Sequence, residues 1–82
     1  MRGMEKQQME SDIGLLMRQP YGRRVVWQML EQAGVWRSSF NTEPLAMAFA
    51  EGRRNFGLWL LDLVVRECAD EYELMMREAR DG

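Results

Sequence analysis

Pro20, Gly34 and Pro44 decide how this chain can be divided. Between them, apolar residues recur every three or four positions, and no stretch alternates with period two for long enough to make a strand. The chain therefore reads as all-α. A first short amphipathic helix carries Met9, Ile13, Leu16 and Met17 and stops near Gln19, because a proline pushes its predecessor out of the helical region. Pro20 suits the first turn of a second helix, where a missing N–H costs nothing. That helix runs to about Ala33, with Gly34 as its C-terminal cap. Residues 34–43 form the loop, and Pro44 starts a third helix reaching about Cys68. Asp70 then reads as an N-cap, with Glu73 three residues on as in a capping box. It opens a fourth helix lined by Tyr72, Met75, Met76 and Ala79, with Glu73 and Arg77 spaced to pair. The expected architecture is a small bundle of three to four helices. Residues 1–19 are read as an N-terminal helical arm and residues 20–82 as a compact helical domain.

At 100° per residue, Val25, Val26, Met29, Leu30 and Ala33 share one face of the second helix. Trp27 falls on the polar side with Arg23, Arg24 and Glu31. The third helix has a main stripe of Leu45, Phe49, Gly52, Phe56, Trp59, Leu60 and Leu63, and a second stripe of Leu58, Leu61 and Val65 beside Arg54. A helix apolar nearly all round needs more than one cover. One is expected from the other helices and one from a different chain, with burial at Phe49, Phe56, Leu60 and Leu63. Asp62 and Arg66 stand in the favourable i,i+4 order. Gly52 and Gly57 each cost about 1 kcal/mol relative to alanine. Either another helix backbone approaches closely there, or the helix breaks near residue 52. Arg53 borders the main stripe and is expected to be buried against a carboxylate or backbone carbonyls.

Eighty-two residues make one domain, and a chain this small buries only about 60% of its unfolded surface. Apolar residues are 46% of the total, so part of that surface is available to partners. A net charge of −2 and a pI of 5.1 argue against a general nucleic-acid binder, which neutralises phosphates with a basic excess. With no histidine and a single cysteine, the chain lacks the usual general base, any Ser-His or Cys-His pair, and any metal-ligand spacing. Its glycines form no phosphate loop. The expectation is a non-enzymatic protein with no cofactor and no metal. Cys68 reads as a buried structural thiol. The longest apolar run, Leu58–Val65, is broken by Asp62 and falls far short of the roughly 20 residues of a membrane span. The polar N-terminus is unlike a signal peptide, which points to a cytosolic product or one assembled in the cytosol.

A tripeptide occurs twice: Gly22-Arg23-Arg24 and Gly52-Arg53-Arg54, with Trp36-Arg37-Ser38-Ser39-Phe40 between. Arginine outnumbers lysine ten to one. That bias reflects either Arg-rich interfaces, since guanidinium gives planar bidentate contacts, or the codon usage of a GC-rich genome. Trp27 on a polar face is either an interface anchor, a role in which tryptophan and arginine are enriched, or a residue covered by the first helix. Arg23, Arg24, Trp27, Arg37 and Arg54 are the candidate partner-binding residues. At least one arginine of each pair is expected to bond within the chain.

The ordered string Gly22-Arg-Arg-Val25, Trp27, Leu30-Glu31, then Arg37-Ser-Ser-Phe40, then Phe49-x-Glu-Gly-Arg-Arg-Asn-x-Gly-Leu58, ending in Arg77-Glu-Ala-Arg80, resembles a small family of tailed-phage virion proteins. The family is named from a virion-cluster gene of a Bordetella podophage, and the resemblance covers residues 20 to about 80. Many relatives have proline where Glu71 stands. Such genes lie among head and portal genes, so the resemblance implies a virion component. It implies a portal-proximal protein or part of the internal core that serves DNA ejection, present in several copies and bound to larger portal or core proteins. Packaged DNA is a further partner on this reading. The alternative is a DNA-packaging or regulatory accessory that contacts DNA through its arginine pairs.

Overall fold

In the computed structural model, residues 3–82 are described, with side chains from Glu5 onward. Four helices follow one another: α1 Gly3–Arg18, α2 Pro20–Ala33, α3 Pro44–Glu67 and α4 Ala69–Asp81. The fold is all-α, with no strand among the described residues. Both prolines stand at the helix starts expected of them. Gly34 takes φ 79° and ends α2. Its N–H reaches the Glu31 carbonyl at 3.0 Å, and the Val35 N–H reaches Leu30 at 3.4 Å. This is the Schellman pattern, completed by burial of both Leu30 and Val35.

The start of α4 differs from expectation. The chain turns at Cys68 (φ −148°, ψ 64°) and helix resumes at Ala69. The Cys68 carbonyl accepts the first helical bond, from Tyr72. Asp70 is therefore not the N-cap; it lies in the first turn beside Glu71, where negative charge suits the helix dipole.

The core joins Ile13 and Met17 of α1, Val26, Leu30 and Ala33 of α2, Val35 of the loop, Leu60, Leu63 and Val64 of α3, Cys68, and Met75 of α4. Met9, Trp27, Leu58, Leu61, Tyr72 and Met76 pack around it. On α2 the buried face is rotated from the one expected. Val26, Leu30 and Ala33 are inside, whereas Val25 and Met29 are exposed. Leu16 of α1 is exposed as well.

Two α3 expectations are corrected in the same way. The second stripe is covered internally at Leu58 and Leu61, with only Val65 open. The main stripe is buried at Leu60 and Leu63 but open at Phe49 (70% exposed) and Phe56 (59%). The cause is length. α3 has 24 residues, about 36 Å, against about 21 Å for α2. The helix is continuous through Gly52, and no residue from Pro44 to Phe56 is buried. α3 enters the core at Gly57, and its first half overhangs. The result is a slab of 40 × 38 × 17 Å with a radius of gyration of 14.1 Å, against about 12 Å for a compact chain of this length.

The two α3 glycines differ accordingly. At Gly57 a Cβ would stand 2.5 Å from the Ala33 Cβ and Val35 Cγ1, at the α2–α3 crossing. At Gly52 a Cβ would meet nothing within 4 Å. Gly57→Ala is therefore expected to destabilise by about 1–3 kcal/mol through overpacking. Gly52→Ala is expected to stabilise by up to about 1 kcal/mol through helix propensity. Urea unfolding of the two variants checks both signs.

Candidate contact surface on α2 and α4

The two Gly-Arg-Arg sites fold into different work. Gly22 sits where α1 and α2 meet; a Cβ there would run into the Leu16 carbonyl. The next residue, Arg23, is 6% exposed, the one charged side chain among the buried residues described. Its Nη1 donates to the Met17 carbonyl (2.9 Å) and the Arg18 carbonyl (3.1 Å). Its Nε and Nη2 donate to the two carboxylate oxygens of Glu78 at 2.8 and 3.0 Å. Carbonyls in the last turn of α1 lack partners within that helix, and Arg23 supplies them. The same fork grips α4. The guanidinium thus joins three helices, in the bidentate geometry to which arginine is suited.

Arg53, expected in this role, is exposed and lies over its own Phe49 ring, 5.6 Å from the centroid. It stands on the overhanging half of α3, where no core exists to bury it. In that second motif the bracing arginine is Arg54, whose Nε donates to the Arg37 carbonyl at 3.1 Å. Glu51 accepts from Ser39 Oγ. Arg37 in turn donates to the Glu31 carbonyl at 3.2 Å, at the C-terminal end of α2. Within the loop, Ser38 Oγ accepts from Phe40 N–H and Asn41 Oδ1 from Glu43 N–H. The Glu43 carboxylate caps α3 through Leu45 and Ala46 N–H. The Arg-Ser-Ser-Phe segment and the Glu-Gly-Arg-Arg segment are one hydrogen-bonded unit that holds the loop to α3.

Trp27 is half-buried, packed against the core and stacked on Trp36 at 5.5 Å between centroids. Its ring is covered on one face by Trp36. With Arg23, Arg24, Gln28, Met75, Glu78 and Ala79 it lines a groove of about 420 Å³ between α2 and α4. Arg24 is exposed on the rim, and its charge, with those of Arg23 and Arg77, helps hold Glu78 ionised. Of the five candidate residues, Arg23, Arg24 and Trp27 meet in this groove, while Arg37 and Arg54 brace the loop. Glu78 and Ala79 line the groove over the buried Met75, and none of the three carries a sequence signal beyond helical spacing.

The groove sets the apolar side chains of Trp27, Met75 and Ala79 beside a mixed-charge rim of Arg24 and Glu78. Cys68 is buried; burial, with Glu71 and Glu67 adding, raises its thiol pKa, so it is a poor nucleophile.

A family model of Bbp19-like phage proteins matches residues 15–78. The chain belongs to the Bbp19-like phage protein family. No curated protein and no solved structure matches it. The span of the family match contains every partner in the Arg23 fork, from Met17 to Glu78. No helix among the described residues is long and apolar enough to cross a membrane.

The hydrogen bonds from Arg23, aided by charge and opposed by desolvation, lower the Glu78 pKa from its ordinary 4.5. The folded chain then takes up that proton less readily than the unfolded one. The contribution of the pair is fully present above about pH 4.5 and is lost as pH falls through the lowered value. Arg23→Ala is expected to cost on the order of 2–3 kcal/mol, because it removes a buried charge-assisted fork while Glu78 stays solvated. Glu78→Gln is expected to flatten the acid limb of stability against pH. Urea titrations from pH 3 to pH 7 read both effects. Trp27→Ala is expected to lose about 2 kcal/mol, less than a fully buried tryptophan, and to shift Trp36 emission to the red.

Proposed function

We propose that this Bbp19-like protein is a non-enzymatic structural component of the phage particle. It sits near the portal or in the internal core above it, in several copies, and binds larger virion proteins. Family membership supports the phage setting. The observation that carries the structural role is the amount of apolar surface left open on a small acidic chain. Leu45, Phe49, Phe40 and Phe56 are all more than half exposed, and a monomer free in solution rarely keeps large apolar patches uncovered.

The α2–α4 groove, with Arg24 on its rim and Trp27 as its wall, is the docking site for such a partner. A role in contacting DNA draws less support. Arg23, Arg37 and Arg54 spend hydrogen bonds inside the chain, and the net charge of −2 gives no basic excess to neutralise a phosphate backbone.

The test is incorporation. Quantitative mass spectrometry of purified, nuclease-washed particles is expected to find the chain at several copies per particle. Arg24→Glu combined with Ala79→Arg alters the rim without touching the core. It is expected to reduce incorporation by about tenfold, in line with the loss of an interface anchor, while the circular dichroism melt stays as in wild type. Absence of the wild-type chain from washed particles contradicts the proposal. Salt-dependent DNA binding by the isolated protein favours the accessory reading instead.

A further inference from the structure

A second face carries more uncovered apolar surface than the α2–α4 groove. Between α2 and α3, Tyr21, Val25, Met29 and Phe56 line an open groove of about 800 Å³. Between α1 and α3, Met9, Ile13, Leu16 and Trp59 line another, of about 570 Å³. Phe56 belongs to the first and Trp59 to the second, and their rings are 5.8 Å apart. The grooves are therefore one strip running along α3. Beyond its end the same stripe continues up the overhang through Phe49 and Leu45, both exposed.

The stripe Leu45, Phe49, Gly52, Phe56, Trp59 has the 4-3-4-3 spacing of a helix–helix seam. It is also symmetric in shape. Large residues stand at both ends, phenylalanines flank the centre, and the centre is glycine. Nothing inside the chain approaches Gly52, so its propensity cost has no internal reason, unlike that of Gly57. The loop is tied to Glu51 and Arg54, which lie on the far side of the helix and leave the stripe free.

We propose that this face binds a second copy of the chain, with the two α3 helices antiparallel about a two-fold axis at Gly52. Each Phe49 then meets the other copy's Phe56, and each Leu45 meets the other copy's Trp59. The facing glycines let the backbones close. The overhang of each copy lies along the groove strip of the other, so one contact fills two voids.

The area fits. Leu45, Phe49, Phe56, Trp59, Tyr21, Val25 and Met29 together leave on the order of 800 Å² open, about what each partner contributes to a standard stable interface. The pairing is isologous and closed. It brings the two Arg53 side chains close to the axis, across it from each other, each already over its own Phe49. Salt is therefore expected to leave the dimer intact or tighten it.

Sedimentation equilibrium of the full chain tests this across low micromolar to several hundred micromolar concentrations. The expected result is a reversible monomer–dimer equilibrium. Phe49→Glu and Gly52→Leu are each expected to weaken it on the order of 100-fold, as for central interface residues, with the thermal melt of the monomer preserved or raised. A chain that stays monomeric throughout overturns the proposal, as does a dimer indifferent to both variants. Orientation is read by a short bis-maleimide linker. Arg53→Cys, at an exposed position one residue from the axis, is expected to cross-link to its copy. Leu45→Cys is not, because antiparallel packing sets those positions about 20 Å apart. Cross-linking at 45 overturns the antiparallel arrangement.

Discussion

The Arg23 guanidinium is the point on which the bundle depends. A slab only 17 Å thick has little interior, so the ends of its helices cannot be left to packing alone. Arg23 sits one turn into α2, directly after the break at Pro20. From there it reaches back to the last carbonyls of α1 and across to Glu78 near the end of α4. Positive charge at the C-terminal end of α1 also suits that helix's dipole. A lysine in the same place has neither the fork for the carboxylate nor the fixed geometry to serve both carbonyls. No buried side-chain polar atom among those described lacks a partner, which is the condition for a buried charge to stabilise rather than disrupt.

Around that tie the chain separates into a packed end and an open end. Leu60, Leu63 and Val64 lie at the packed end of α3; Leu45 and Phe49 lie on the overhang. The surface ion pairs on the packed side, Arg66 with Asp62 at 2.6 Å and with Glu10 at 3.6 Å, lie in solvent and are worth little each. The open half of α3 and the outer face of α2 carry most of the uncovered apolar side chains, among them Leu45, Phe49, Phe56 and Val25, whereas the α2–α4 groove is built on the packed end, over Arg23 and Met75.

Helix limits were legible because single residues impose them. Proline cannot donate to the preceding turn, and Gly34 accepts a positive φ that other residues resist. Pairing of Asp62 with Arg66 was legible from spacing alone. The buried faces were less so. Periodicity states which residues share a side of a helix, but not which side a neighbour covers, and α3 offers two. Periodicity presents Leu58 and Leu61 as a stripe without an internal cover, yet they are packed, and Phe49 and Phe56 as core, yet they are open. The arginines failed for the same reason. Arg23 and Arg53 occupy matching places in identical tripeptides, and only the long-range partner Glu78, 55 residues away, makes one of them internal. One local signal did exist. Arg23 lies five and six residues past carbonyls that a helix ending at Pro20 leaves without donors.

Hydrogen exchange of wild type and Arg23→Met, read amide by amide, tests the central claim most directly. If Arg23 couples α1, α2 and α4, the variant loses protection together in the last turns of α1 and throughout α4. The α2–α3 crossing at Ala33 and Gly57 stays protected. Loss confined to the neighbours of residue 23, with α4 unchanged, would contradict the account.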